Sequence, residues 1–410
     1  MVKKIKGAIM HIHRVKECES IHDIAKEYGI SPIKIAENND IDLRAKLPVG
    51  RELIITIPSR TYNVKSTDTL DTIAKRFNTD KNSLLRLNPE LMGREKLYCG
   101  QLLTIKDSAP RRGTVSVNGY LYSGTPKERL ISLLPHLSFV TVSSAIYKDS
   151  KVHSLFGSDD TVTLIRHHGK TPILRIYLND LPPAGCEKDF ASSISILAAS
   201  GRFDGIALSS LNSLNNSKER LDSLVFTVRK TLLENDMLLF VEGDAEKNTS
   251  YIDYADAGIL TYDKLHKESI PCFNDGERKV FENFANTAES SRAFMEISSF
   301  AYSSGKYIEK QEAMRITDKK RGEIQADDER LLQRAIYGKG KKKEIVYESL
   351  ENTKAKLELV GELGFMGVSF DIGRVCIPDL MAVAATFDLI SCPVMMPKNK
   401  SMDSLKKCNP

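Results

Sequence analysis

The feature that most constrains this chain is that its first quarter is one short unit written twice. Setting each residue n beside n + 49 lays 13–39 over 62–88: Val15 meets Val64, Lys16 meets Lys65, Ile24-Ala25 meets Ile73-Ala74, and Asn39 meets Asn88. After one inserted residue, Pro48-Val49-Gly50-Arg51-Glu52-Leu53-Ile54-Ile55 continues onto Tyr98-Cys99-Gly100-Gln101-Leu102-Leu103-Thr104-Ile105. A repeat of this kind is a supersecondary unit used more than once. Each copy reads as a strand ending at Val-Lys, a helix opened by Ser20 or Thr69 as N-cap, a second helix from Pro32 or Lys81, and a closing strand led by Gly. A βααβ unit of about 45 residues has so little core that its apolar frame cannot drift, whereas its surface can.

That frame (strand, Ser/Thr cap, Ile-Ala, Asn, then Gly-x-x-Leu-x-Ile) resembles the LysM module, with copies over 11–58 and 60–106. The resemblance implies binding of N-acetylglucosamine-containing glycans such as peptidoglycan or chitin. The sugar would lie between the loop after the first strand and the loop after the second helix. On this sequence that groove carries Glu19, Ser20, Ile21, Asp40 and Ile41 in the first copy. In the second it carries Thr67, Asp68, Thr69, Leu70, Pro89, Leu91 and Met92. One departure matters: where the family has Gly-Asp in the first loop, this chain has Cys18-Glu19 and Thr67-Asp68, and losing Gly restricts backbone approach to a ligand. A LysM frame retained only as a protein-docking unit is the competing reading.

After a Pro/Arg/Gly/Ser stretch over 107–114, read as a linker, strand-like and helical runs alternate. Eight strand candidates, at 115–122, 138–147, 171–178, 203–210, 237–243, 256–263, 294–302 and 364–372, are separated by amphipathic stretches such as 221–235. The fold class is therefore α/β, two small βααβ modules followed by a (β/α)8 TIM barrel over 115–395. Val117-Asn118-Gly119-Tyr120, Leu134-Pro135-His136-Leu137-Ser138 and Leu260-Thr261-Tyr262-Asp263 resemble family-18 glycoside hydrolases, the chitinase-like enzymes, in their spore-cortex-lytic branch. The runs 307–316, 322–329 and 343–349 follow that branch's inserted α+β segment, here 303–348, and a tail occupies 396–410.

The resemblance also says what the chemistry would need. Family-18 hydrolysis uses Asp-x-x-Asp-x-Asp-x-Glu at the end of the fourth strand: the Glu protonates the leaving oxygen, and the preceding Asp orients the substrate N-acetyl group that acts as nucleophile. The corresponding segment is Asp204-Gly205-Ile206-Ala207-Leu208-Ser209-Ser210-Leu211, so Asp204 is kept while Ala207, Ser209 and Leu211 replace the remaining motif positions. Losing a positioned general acid costs on the order of 10²–10⁴ in rate. The expectation is a catalytically inactive relative with Ala207, Ser209 and Leu211 alternating along one strand and sharing a direction, toward the barrel interior or its mouth. Retained or replacement groups in the cleft would be Tyr262, Asp263, Tyr302 and Asp371. The chain has no Trp to offer a sugar its largest stacking face.

Composition narrows the partners. The net charge of +5 lies in no dense basic stripe, which argues against nucleic acid, and no apolar run reaches the ~18 residues of a membrane span. The seven cysteines are scattered without a Cys-x-x-Cys pair, so no metal site is expected, and no cofactor. The N-terminal stretch lacks the apolar core of a secretory signal. The expectation is synthesis in a mother-cell cytoplasm and placement in the spore envelope, coat or cortex, with peptidoglycan or a related N-acetylglucosamine glycan as partner and spore coat proteins as further ones. Two alternatives stand: an active cortex N-acetylglucosaminidase using displaced carboxylates, and an interaction scaffold without sugar binding.

Overall fold

The computed structural model describes residues 10–154, 159–211, 214, 218–247, 250–262, 275–287, 289–304, 306–320, 322–338 and 342–391. In the first repeat, β1 (His11–Arg14), α1 (Ile21–Tyr28), α2 (Pro32–Asn38) and β2 (Glu52–Ile55) form one unit, β1 and β2 pairing antiparallel. The second repeats it with β3 (Pro58–Asn63), α3 (Leu70–Phe77), α4 (Lys81–Leu87) and β4 (Leu102–Asp107). The shared residues have shared jobs. Ser20 and Thr69 close capping boxes with Asp23 and Thr72. Asn39 and Asn88, each 1% exposed, pin the second helix to the closing strand. Asn39 donates to Ile35 O and Ile54 O and accepts from Ile54 N; Asn88 does the same with Leu84 O, Thr104 O and Thr104 N. Gly50 and Gly100 both sit at φ +84°, which explains why both copies have Gly ahead of the closing strand.

The barrel strands are β5 (Thr114–Leu121), β6 (Phe139–Lys148), which carries the hairpin partner β7 (Lys151–Ser154), β8 (Thr171–Leu178), β9 (Gly205–Ser209), β10 (Leu238–Asp244), β11 (Ala257–Thr261) and β12 (Ala293–Glu296). The inserted antiparallel sheet follows: β13 (Phe300–Ser303), β14 (Lys306–Glu309), β15 (Glu323–Asp327), β16 (Leu332–Tyr337) and β17 (Lys343–Glu348). β18 (Gly367–Asp371) is the eighth barrel strand, its parallel pairing to β5 and that of β5 to β6 closing the ring, and β19 (Asp388–Leu389) adds at the edge of β5. The single strand expected over 294–302 is thus two, one in the barrel and one in the inserted sheet.

Alternation sorts the barrel residues into two layers. Ile206, Leu208, Val241, Leu260 and Val368 face outward into the main core under the helices. Phe139, Ile173, Ala207, Phe240, Ile259 and Phe294 fill the interior, where the rings of Phe139, Phe240 and Phe294 lie 5.0–6.0 Å apart.

Both repeats are docked on the barrel body. The first sits against the inserted sheet: Ile324 N donates to Val49 O and Gln333 Nε2 to Gly50 O, both at 3.1 Å, and a Cβ at Gly50 would meet Ile324 O at 2.1 Å. Glu52 accepts from Leu350 N at 2.7 Å, and Arg51, 2% exposed, lies 3.6 Å from Asp318. The second repeat sends Arg86 to Pro135 O at 2.8 Å, and Gly93 sits against Ile131 O. The stretch read as a linker is held in place, Arg111 bonding Asp107 and Ala385 O and Arg112 N bonding Thr386 O.

Candidate functional site

In both repeats the first-loop carboxylate closes its own loop. Glu19 accepts from Lys16 N at 2.9 Å and His13 Nε2 at 2.8 Å; Asp68 accepts from Lys65 N at 2.8 Å and Tyr62 Oη at 2.7 Å. Burial works against the Glu19 anion, but the Lys16 amide and His13 outweigh it and hold the carboxyl below its ordinary range. At Asp68 the Lys65 amide leads, with Tyr62 and Arg76 adding to the same downward shift. Ser20 and Thr69 are occupied as caps, and Ile21, Ile41, Leu70 and Leu91 are buried in the two repeat cores. Cys18, where the family has Gly, takes φ 60°, so the loop keeps its left-handed turn at a conformational cost. Thr67 is exposed.

The second loops differ. Asp40 is engaged by the inserted segment, through Gln311 Nε2 at 2.5 Å and Arg315 at 3.3 Å. Pro89 opens a short 3-10 turn beside α2 of the first repeat, where Lys34 donates to Leu87 O and lies 3.7 Å from Glu90. Met92 is 53% exposed.

In the barrel, Ala207 and Ser209 share the inward parity of β9, as expected. Leu211 does not. Ser210 adopts φ 68°, the alternation stops there, and Leu211 packs, fully buried, into the outer apolar layer. The expected shared direction of the three fails at this last position because a left-handed residue ends the strand. Asp204 lies at the opposite, N-terminal end of β9, where Arg166 Nη2 binds it at 2.5 Å. Tyr262 packs on the outer core near Phe281, Tyr302 belongs to the inserted sheet facing Tyr307, and Asp263 lies outside the described residues. Of the named cleft groups, Asp371 reaches the mouth, held by Gly373 N at 2.9 Å and Arg374 at 3.0 Å. Burial pushes its carboxyl above the ordinary value against the pull of Arg374.

The dominant feature of the mouth is an ion pair that the sequence reading did not single out. Arg175 on β8 binds Glu242 on β10 through two parallel bonds, Nε to Oε1 at 2.6 Å and Nη2 to Oε2 at 2.5 Å. Arg175 Nη1 also donates to the hydroxyls of Tyr122 and Tyr177, and its guanidinium lies 4.3 Å from the Tyr120 ring centroid and 4.4 Å from that of Tyr177. Burial disfavours the cation, yet the Glu242 charge and hydrogen bonds outweigh it and hold Arg175 above its ordinary value. β8 and β10 flank β9, with Arg175 in register with Ala207. Small Ala207 and Ser209 therefore leave the room in which Arg175 and Glu242 meet, in front of the fourth strand. The available signal was period two: Ile173-Arg175-Tyr177 and Phe240-Glu242 put charges on the inward parity of otherwise apolar strands.

Among the described residues, no helix is long and apolar enough to cross a membrane, and no group of three His, Cys, Asp or Glu could hold a metal ion. A family model of the LysM domain matches residues 13–56 and 62–106. An endolysin of Bacillus phage B103 is 29% identical over 108 residues, 25% of this chain and 41% of that protein, so the match spans less than half the relative's length. Among solved structures, the spore cortex-lytic enzyme SleL of Bacillus cereus gives a TM-score of 0.72 at 18% identity, covering 94% of this chain and 100% of that one. SleL of Bacillus megaterium gives 0.71 at 16%, with the same coverage. A chitinase from Chromobacterium violaceum gives 0.54 at 15%, over 66% of this chain and 98% of its own. Residues 13–56 and 62–106 are LysM domains, carried ahead of a closed (β/α)8 barrel with the fold of the spore cortex-lytic enzymes and chitinases.

Proposed function

We propose that the protein is a non-hydrolytic glycan-binding member of this architecture, holding N-acetylglucosamine polymers such as peptidoglycan through its LysM domains and serving as a structural or targeting component of a spore envelope. The observation that carries the loss of hydrolysis is the Arg175–Glu242 pair in front of β9. A general acid for this chemistry must reach the glycosidic oxygen and be able to give up a proton. Ala207 and Ser209 have no carboxyl, Leu211 faces the outer layer, and Glu242 is tied to a guanidinium as an ion pair. The spore assignment rests on the spore cortex-lytic enzymes among the structural relatives, and coat proteins are the partners such a place implies.

The test is one tube with cortex peptidoglycan and one with chitin oligomers. The expected result is that the full chain sediments with the insoluble glycan and releases no reducing ends above a heat-killed control. Adding Leu211→Glu and Ser209→Asp together should not create turnover, because position 211 lies in the apolar layer, where a carboxylate is destabilising. The second reading, a hydrolase with a displaced acid, is favoured by Asp371, whose buried carboxyl holds its proton more tightly than usual. Turnover by the unmodified chain that Asp371→Asn abolishes would establish that reading. A chain that neither cleaves nor sediments leaves the scaffold.

A further inference from the structure

Between the second LysM domain, the segment 109–111 and the chain at 384–389 runs a cleft of about 580 Å³. None of its residues belongs to the candidate glycan loops. The β3–β4 register sets Arg60 directly opposite Lys106, with the ladder irregular on both sides of Arg60. Like charges facing each other across a strand pair destabilise it. The neighbouring carboxylates do not relieve them: Asp107 and Asp388 both turn to Arg111, and Asp68 to Arg76. The Arg60 guanidinium lies 4.4 Å from the centroid of Phe77, which also lines the cleft, so the cation is held over a flat apolar wall. Arg86 is buried, hydrogen-bonded to Pro135 O and Ser83, and 4.0 Å from Asp80. Setting Arg86 against Asp80, and Arg111 against its two aspartates, leaves one net positive charge, carried by Arg60 and Lys106. That matches a singly charged carboxylate better than a phosphate dianion.

We propose that this cleft binds a carboxylate carried on the glycan, with Arg60 and Lys106 as its cationic pair. The proposal rests on the glycan reading above and sharpens it: the LysM loops would take the neutral sugar, and this site the acidic lactyl or peptide group that distinguishes peptidoglycan from chitin. The experiment titrates the full chain, and its Arg60→Ser/Lys106→Ser variant, with a disaccharide-peptide muropeptide, with chitotetraose and with inorganic phosphate. Both residues are exposed, and Arg60→Gln alone serves as the milder control for folding. Losing two charge-assisted contacts should weaken muropeptide binding ~10-fold or more while leaving chitotetraose binding unchanged. Unchanged muropeptide affinity, or an equal loss for both ligands, overturns the proposal. Displacement of muropeptide by phosphate at matching concentration overturns the carboxylate assignment. Muropeptide binding that needs Arg60 and Lys106, in a chain that ignores chitotetraose, supports the cleft and removes the neutral-sugar reading. Binding of neither ligand by the unmodified chain removes both.

Discussion

The two LysM domains are one design in two settings. Inside, they agree residue for residue: Asn39 and Asn88 make the same three hydrogen bonds, Gly50 and Gly100 the same turn, Glu19 and Asp68 the same loop closure. Outside, corresponding positions diverge in charge and in what they touch. Arg51 is buried beside Asp318 of the inserted segment, whereas its counterpart Gln101 is partly exposed. Glu37 on α2 lies near Lys34 and Glu90 at the contact between the repeats, whereas its counterpart Arg86 on α4 reaches the barrel. The frame is kept by what a very small core demands, and docking is written on the positions that the frame leaves free.

The sharpest way to break this comparison is Arg51→Ala beside Gln101→Ala. The first strands a largely buried carboxylate and should cost about 3–4 kcal/mol, while the second should cost under about 0.5 kcal/mol. Denaturant unfolding of the two variants measures the difference, and equal costs would mean that the Arg51–Asp318 pair adds nothing to the clamp made by Val49 and Gly50. Asn39→Ala and Asn88→Ala test the sameness of the interiors. Each leaves buried backbone groups unpaired and should cost about 2–3 kcal/mol, alike in both repeats.

A smaller effect is expected at the contact between the repeats. Burial first, and the Glu90 charge second, push the Glu37 carboxyl from 4.5 up to about 8, with Lys34 opposing them. The folded state therefore holds this proton more tightly than the unfolded chain does. Its stabilisation is full below the unfolded value of 4.5 and is lost as pH rises through about 8. With the site only partly buried, solvent screening reduces this to about 1 kcal/mol. Thermal melts at pH 5 and pH 9 should show the loss in the unmodified chain, and Glu37→Gln should flatten it. The smallest effect is on binding. Met92 is exposed in the second groove, while Asp40 in the first is held by Gln311 and Arg315. Met92→Ser should weaken glycan sedimentation about threefold, and Asp40→Ala less than that.

The repeat frame, the eight barrel strands and the insert were legible because each depends on local signals: period two, helix caps and Gly at a required turn. Ser20, Thr69 and Gly50 announce their roles within a few residues of themselves, and Asn39 is marked by its repetition at Asn88 although its partner Ile54 lies 15 positions on. The candidate site was legible only in part. The absence of carboxyls at 207 and 209 is a fact of composition, but the direction of Leu211 depends on a left-handed Ser210 that no pattern demanded. Arg175 and Glu242 stand 67 positions apart, and only the parallel pairing of β8 and β10 to β9 places them on strands either side of it. Arg60 and Lys106 likewise become neighbours only through the β3–β4 register. The sequence by itself determined which units form and which motif positions lack an acid, since propensity, capping and residue identity act over short range. The tertiary structure alone decided which charges meet and which loops are covered, because those depend on distances between segments that no local rule sets.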